Sequence, residues 1–238
     1  MPASWKELYD SQVVGVWALV VLPALFLVHL AMRGFAAGPG VEPYAARFVR
    51  IWAIVFAALS IADPIATGLL GVPLAPFVLL GDYRVFALVL VVMQPGRSQA
   101  IALAEAAGWT LVVPAVAVAT TRAVGALAGP PPPVTLWIVY QTSFALLTLS
   151  LTGRVVPARV GIERDPVRRY VRSVLAFVFG YYVLWTTADV LVLRGHEWGW
   201  GLRVVPNLLY YGAFVPFAYA RFFAARNAAS STSVQTAR

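Results

Sequence analysis

The 238-residue chain contains no cysteine, which excludes disulfides, thiolate metal sites and cysteine nucleophiles. Histidine is nearly absent: only His29 and His196 occur. The topology argued below puts them at opposite membrane faces, so neither paired haem ligation nor a two-histidine metal centre is expected. The single lysine, Lys6, precedes the first apolar run, which excludes a retinal Schiff base within a bundle. No Asp-rich magnesium motif is present. Charge is also scarce, at 12% Asp, Glu, Lys and Arg, about half of what a soluble domain carries.

What fills the chain is apolar: 61% hydrophobic residues and a mean hydropathy of +0.78. Runs of roughly 20 apolar residues, enough to cross a bilayer, recur along the whole length. An all-α, polytopic integral membrane protein follows. Seven spans are expected, near Val13–Met32, Arg47–Leu70, Pro76–Gln94, Ala100–Thr121, Val134–Thr152, Tyr170–Leu193 and Leu202–Phe222. Residues 1–226 form one membrane domain, and 227–238, small and polar, read as a disordered tail. The N-terminus carries Glu7 and Asp10 and lacks a basic leader, unlike a secretory signal.

The net charge of +8 suggests nucleic acid, but its distribution argues otherwise. With seven spans, 13 of the 18 Lys and Arg residues fall on one side. The positive-inside rule then places the N-terminus outside and the C-terminus inside. The basic balance is explained by topology and by anionic membrane lipid, with no nucleic-acid partner. A bacterial inner membrane is the expected location.

A weak internal repeat is visible. Arg47-Phe48-Val49-Arg50 opens span two and Arg169-Tyr170-Val171-Arg172 opens span six; Ala62-Asp63 and Ala188-Asp189 lie near their ends. Span one ends at Arg33-Gly34 and span five at Gly153-Arg154. A three-plus-one-plus-three plan with span four as connector is expected, although arginine commonly flanks inner helix ends.

Asp63, in Ser60-Ile61-Ala62-Asp63-Pro64, is the sharpest pointer to a site. A carboxylate at membrane depth costs about 2.5–3.5 kcal/mol or more unless it is partnered, and Pro64 breaks the helix ladder there. By depth, Asp63, Asp82, Arg84, Tyr140, Gln141, Asp189 and Asn207 all fall near the outer ends of five spans. Helical phase aligns Trp52, Phe56, Ser60 and Asp63 in span two, and Tyr181, Trp185 and Asp189 in span six. Span five pairs Trp137 with Gln141, and span seven aligns Asn207, Tyr211 and Phe214. An acid at the mouth of an aromatic-lined cavity suits a carbocation, since each ring face contributes roughly 0.5–2 kcal/mol. Other readings exist: Trp198 and Trp200 as interfacial belt residues, Asp82 with Arg84 as a structural ion pair, and Glu105 as a solvated or structural acid.

These segments resemble the small seven-span terpene cyclases of meroterpenoid and indole-terpenoid pathways, the pyripyropene and paxilline type with bacterial relatives. The resemblance rests on Ser60-Ile61-Ala62-Asp63-Pro64-Ile65 in span two, on Gln141 leading to Gly153-Arg154 in span five, and on Asn207, Tyr210 and Phe214 in span seven. It covers less than a third of the chain. The family's span-two glutamate is Asp63 here and its preceding tryptophan is Ala62; its span-seven aspartate is Asn207, which cannot donate an acidic proton. The resemblance implies acid-initiated cyclisation of a prenyl chain on a lipophilic substrate, without cofactor or metal. Asp63 would protonate an epoxide or alkene, Asn207 would orient the acid or the epoxide oxygen, and water or Asp189 would take the last proton. Trp52, Phe56, Tyr181, Trp185, Tyr211 and Phe214 would shape the chain, with Ser60, Asp82, Arg84 and Gln141 as further substrate contacts. Either Asp63 works alone, or Asp189 or Asp82 replaces the missing acid.

The rival class is a seven-helix transporter or ligand-binding bundle. The repeat plan also resembles sugar and amino-acid carriers of the proline-glutamine-loop type. Their Pro-Gln pair is absent; Met93-Gln94-Pro95 has the reverse order. Pro64, Pro206 and Pro216 remain candidate hinges. A structural subunit of a larger complex has no positive sign, and oligomeric state is not encoded legibly.

Overall fold

A computed structural model describes residues 4–33, 43–94 and 96–235. Gly34, Pro95 and residues 236–238, which figure in the sequence reading, lie outside the described residues. The described chain is helical throughout, with no strand among the described residues. A short α1 (Trp5–Asp10) leads through a π-helical turn (Val13–Trp17) into α2 (Ala18–Arg33). Then come α3 (Pro43–Gly68), α4 (Ala75–Met93), α5 (Gln99–Ala128) and α6 (Val134–Ser150). A second π turn (Leu151–Val155), α7 (Val156–Arg159) and α8 (Asp165–Leu193) follow. The last helical run is unbroken: α9 (Trp198–Asn207), a π turn (Leu208–Ala213) and α10 (Phe214–Gln235).

Six segments are long and apolar enough to cross a membrane: Val13–Met32, Ala45–Gly68, Ala75–Met93, Gln99–Ala128, Val134–Arg159 and Ile162–Leu193. The protein is thus a multi-pass helical membrane bundle. The α9–α10 run is less apolar because Arg203, Asn207 and Tyr210-Tyr211 fall within it. It continues to Gln235, into the segment expected as a disordered tail. Gly81-Asp82-Tyr83-Arg84, the polar stretch within span three, lies inside the unbroken α4.

Local chemistry sets the ends. Ser4 caps α1 by accepting from the Glu7 amide at 3.1 Å, which satisfies one of the donors a helix start leaves open. Pro lies in the first turn of α4 and of α8, where its missing N–H costs nothing. Helix α5 stops at Gly129 with φ of 86°, a conformation suited to glycine, and the four prolines that follow cannot extend it. Arg164 donates to the Met93 carbonyl at 2.9 Å, closing the end of α4.

Helix α4 lies deepest: 67% of its apolar window is buried, against 17% for the first span. Val85 through Met93 form a solid core, all 4% exposed or less. Apolar side chains on α2 and α5, such as Leu25, Met32, Leu111 and Val116, stay exposed and face lipid in a membrane. Helix α4 packs on α8, and α10 packs on α3.

Candidate functional site

The polar residues gather at the end of the bundle where α1 lies. There a cavity of about 410 Å³ opens, lined by residues of α1, the first π turn, α3, α4, α6, α8 and the α9–α10 run. This volume lies within the ~300–1,000 Å³ usual for small-molecule sites. Its exposed side, the mouth, carries Asp10 and Gln12 with the half-buried Ser11 and Arg203; Val16, Leu19, Leu74 and Val78 add apolar lining, and Tyr140, Tyr182 and Tyr210, buried, with the half-buried Trp185 and Tyr211, form an aromatic wall. Tyr181, Trp185 and Tyr210 meet in tilted or edge-on contacts with centroids 5.1–5.7 Å apart, presenting ring faces and edges rather than a stack.

Behind this wall Asp82 is completely buried. Tyr140 donates a hydrogen bond to its Oδ2 and Tyr182 to its Oδ1. Both tyrosines line the cavity. Asp82 makes no ion pair among the described residues, so the alternative reading of Asp82 with Arg84 as a structural pair does not hold. Two residues apart on a helix, their side chains diverge.

Arg84, 2% exposed, turns the other way. Its Nη1 donates to Ser60 Oγ at 3.0 Å and its Nη2 to the Tyr210 carbonyl at 2.6 Å. The guanidinium lies 4.2 Å from the Tyr210 ring centroid and 4.9 Å from that of Phe214, so cation–π attraction replaces a counter-ion. Trp52 donates through Nε1 to the Arg84 carbonyl at 2.9 Å, tying α3 to α4. The Tyr181 hydroxyl, near this cation, is buried without a well-formed hydrogen bond, as is Arg84 Nε. Gly81 makes room for Tyr210: a Cβ there would lie 1.6 Å from its hydroxyl.

Asp63, 5% exposed, lies apart from the main cavity. It borders a separate chamber of about 20 Å³ with Phe56, Ser60, Gly81, Arg84, Tyr210 and Tyr211. That volume suits about one water molecule. Thr67 Oγ1 lies 3.4 Å from the Asp63 Oδ1, and the Tyr211 side chain borders the same space.

Asp189 is also wholly buried, but it is ion-paired. Arg203 donates to its Oδ1 through Nε, and Gln141 Nε2 donates to Oδ2 at 3.0 Å. Asn207 lines the cavity, where its Oδ1 accepts from Trp185 Nε1 at 2.8 Å and its Nδ2 donates to the Tyr9 hydroxyl at 3.3 Å. Glu105, far from this cluster, bridges Arg97 and Arg159, each at 2.5 Å, the structural role allowed by its position.

Of the sequence-derived residues, Gln141, Trp185, Asn207 and Tyr211 line the main cavity. Phe56, Ser60, Asp63 and Arg84 border the small chamber. Asp82 and Asp189 lie behind cavity residues that bind them, while Trp52, Tyr181 and Phe214 pack as buried support. Sequence reasoning did not find Tyr182, Tyr9 or the structural use of Arg203. Tyr182 follows Tyr181 directly, and a strict helical face admits only one of two neighbours. Among the described residues no three His, Asp or Glu side chains converge as a metal-holding group. No family model, no curated protein and no solved structure matches the chain.

Proposed function

We propose that the protein is a membrane terpene cyclase that closes rings on a prenyl chain by acid initiation, on a lipophilic, prenylated substrate taken from the bilayer. The observation that carries this reading is Asp82, fully buried and held by two tyrosine hydroxyls that border a large aromatic cavity. A carboxyl paired with an arginine is fixed as an acceptor. One held by phenols can exchange a proton through them, as a general acid must.

In the proton-loaded state the Asp82 carboxyl donates to one phenol oxygen, and that phenol turns its own proton to the substrate. A terminal epoxide oxygen or alkene carbon accepts it and a cation forms in the cavity. Trp185, Tyr210 and Tyr211 line that space and stabilise the cation by roughly 0.5–2 kcal/mol per ring. The polar mouth suits a polar head group and leaves the prenyl end to reach the tyrosine wall. Asn207, fixed by Trp185 and Tyr9, orients Trp185 instead of replacing a missing acid. The acid lost at that position is supplied by Asp82 in this reading. The reading extends to seven spans, with the cavity on the outer side of a bacterial inner membrane.

The test is expression in membranes with a prenylated aromatic compound or its terminal epoxide, with products separated by chromatography and mass spectrometry. Cyclised isomers are expected, and Asp82→Asn, close in shape, should lower their formation by about 10²–10⁴-fold, the usual contribution of a general acid. Full turnover by Asp82→Asn removes the assignment. Saturable uptake into proteoliposomes with no chemical change supports the carrier alternative. The solid Val85–Met93 core favours a closed-ended cavity over a conduit.

A further inference from the structure

Cyclisation needs a proton given and a proton taken, and the structure holds two buried acids that reach the same space by different tyrosines. Asp82 reaches it through Tyr140 and Tyr182. Asp63 borders a smaller crevice outside the main cavity, and Tyr210 and Tyr211 line both that crevice and the main cavity. The two rings meet edge-on with centroids 4.8 Å apart and form the partition between the two spaces. On the cyclase reading given above, we infer that Tyr211, backed by Asp63, takes the last proton and ends the reaction that Asp82 begins.

The geometry separates the two roles. Arg84 stands between the acids, bordering the Asp63 chamber, yet ion-pairs with neither among the described residues. Its two terminal nitrogens are committed to Ser60 and to the Tyr210 carbonyl. Asp63 therefore keeps its acceptor capacity for Tyr211 and for Thr67, whose hydroxyl lies 3.4 Å from Oδ1 and also donates to the Asp63 carbonyl at 2.8 Å. Tyr211 belongs to the π-helical turn Leu208–Ala213, a distortion that recurs at functional sites and here presents two successive tyrosines to the partition.

The chemistry balances. The Asp82–tyrosine couple protonates the substrate, and ring closure moves the positive charge along the chain. A C–H bond next to the cation then breaks: its electron pair becomes the product alkene, and its proton goes to the Tyr211 oxygen. Tyr211 passes its own hydroxyl proton to the Asp63 carboxylate. Substrate and product are isomers. The enzyme is left with Asp82 as carboxylate and Asp63 protonated, and exchange with water through the open mouth restores both once the product leaves.

The test compares wild type, Tyr211→Phe and Asp63→Asn, measuring substrate consumption and product ratio together, with thermal unfolding in detergent as the check on folding. Tyr211→Phe keeps the ring and the partition but removes the proton acceptor. Consumption should fall only about threefold, while the native product falls at least about 100-fold, the lower end of the range for a general base. Products deprotonated at another carbon, or trapped as alcohols, should replace it. Asp63→Asn should give the same shift, and it carries the test alone if Tyr211→Phe does not fold. A product ratio unchanged in both variants overturns the inference while leaving the cyclase reading intact. So does a loss of consumption equal to that of Asp82→Asn, which moves initiation to Asp63. A wild-type protein that leaves every prenylated substrate unchanged overturns the cyclase reading and the inference with it.

Discussion

Asp82 and Asp189 lie at the same end of the bundle and neither has any exposed surface, yet their surroundings oppose each other. Asp189 holds a cation, Arg203, and a primary amide, Gln141. Asp82 holds two neutral hydroxyls that open onto a cavity. Depth alone therefore does not mark a reactive acid. The first environment compensates a buried charge and holds it still, fastening α8 to α9 and α6. The second leaves the acid without an ion pair among the described residues and held by hydroxyls that border a cavity. On the proposed reading, the difference divides the end of the bundle into a structural clamp and a chemical wall.

The largest effect that separates them is on stability. Arg203→Met leaves the Asp189 carboxylate buried without its cation, and removing one partner of a buried pair costs about 3–5 kcal/mol. Asp189→Leu combined with Arg203→Met removes both charges and should recover most of that loss. Denaturation in detergent micelles, read by circular dichroism, measures both. If the double variant is as unstable as the single one, Asp189 is not a clamp and its role must be sought in the cavity.

A smaller effect is expected on the chemical wall. Gly81→Ala places a methyl group 1.6 Å from the Tyr210 hydroxyl. The Tyr210 ring cannot move freely, because Arg84 packs on it and bonds its carbonyl. Overpacking of this kind costs about 1–3 kcal/mol. Tyr210→Phe in the same chain removes the clashing oxygen and should restore about half the loss, since the ring still fills the space. Rescue by Tyr210→Phe identifies steric fit as the reason for glycine; no rescue points instead to the α4 backbone.

The gathering of Asp63, Asp82, Gln141, Asp189 and Asn207 at one end was legible because depth follows from span order and from the side that carries arginine. The helical architecture was legible from apolar run lengths alone. Partner choice was not. Arg203 reads as one more flanking charge until α9 folds back on α8 and brings it to Asp189. Asp63 stands out in the sequence because its neighbours are apolar, but it borders a smaller crevice that shares only Tyr210 and Tyr211 with the main cavity, and both tyrosines belong to a π turn that helical periodicity does not encode. Beside Arg84, Asp82 reads in the sequence as half of a pair, because a nearby opposite charge suggests one; only the direction of the two side chains dissolves it.

The finest division of the comparison lies within the Asp82 wall itself, between its two phenols. Tyr140 comes from α6 and Tyr182 from α8, one on each carboxyl oxygen. Tyr182 is stacked on Phe144 with centroids 4.3 Å apart, which fixes its ring, whereas Tyr140 meets Trp137 edge-on at 6.0 Å nearer the start of α6. The looser ring is the better candidate to turn its proton toward a substrate, and the stacked ring the better one to hold the carboxyl in place. Tyr140→Phe should therefore lower cyclisation about tenfold with little change in stability, a loss of about 1.4 kcal/mol in the barrier term. Tyr182→Phe should cost about 1–2 kcal/mol of stability, as loss of a hydrogen bond to a carboxyl does, with a smaller kinetic effect. Turnover and unfolding midpoints measured on both variants decide it. The reverse pattern exchanges the two roles, while equal losses in both make the pair a single unit with Asp82.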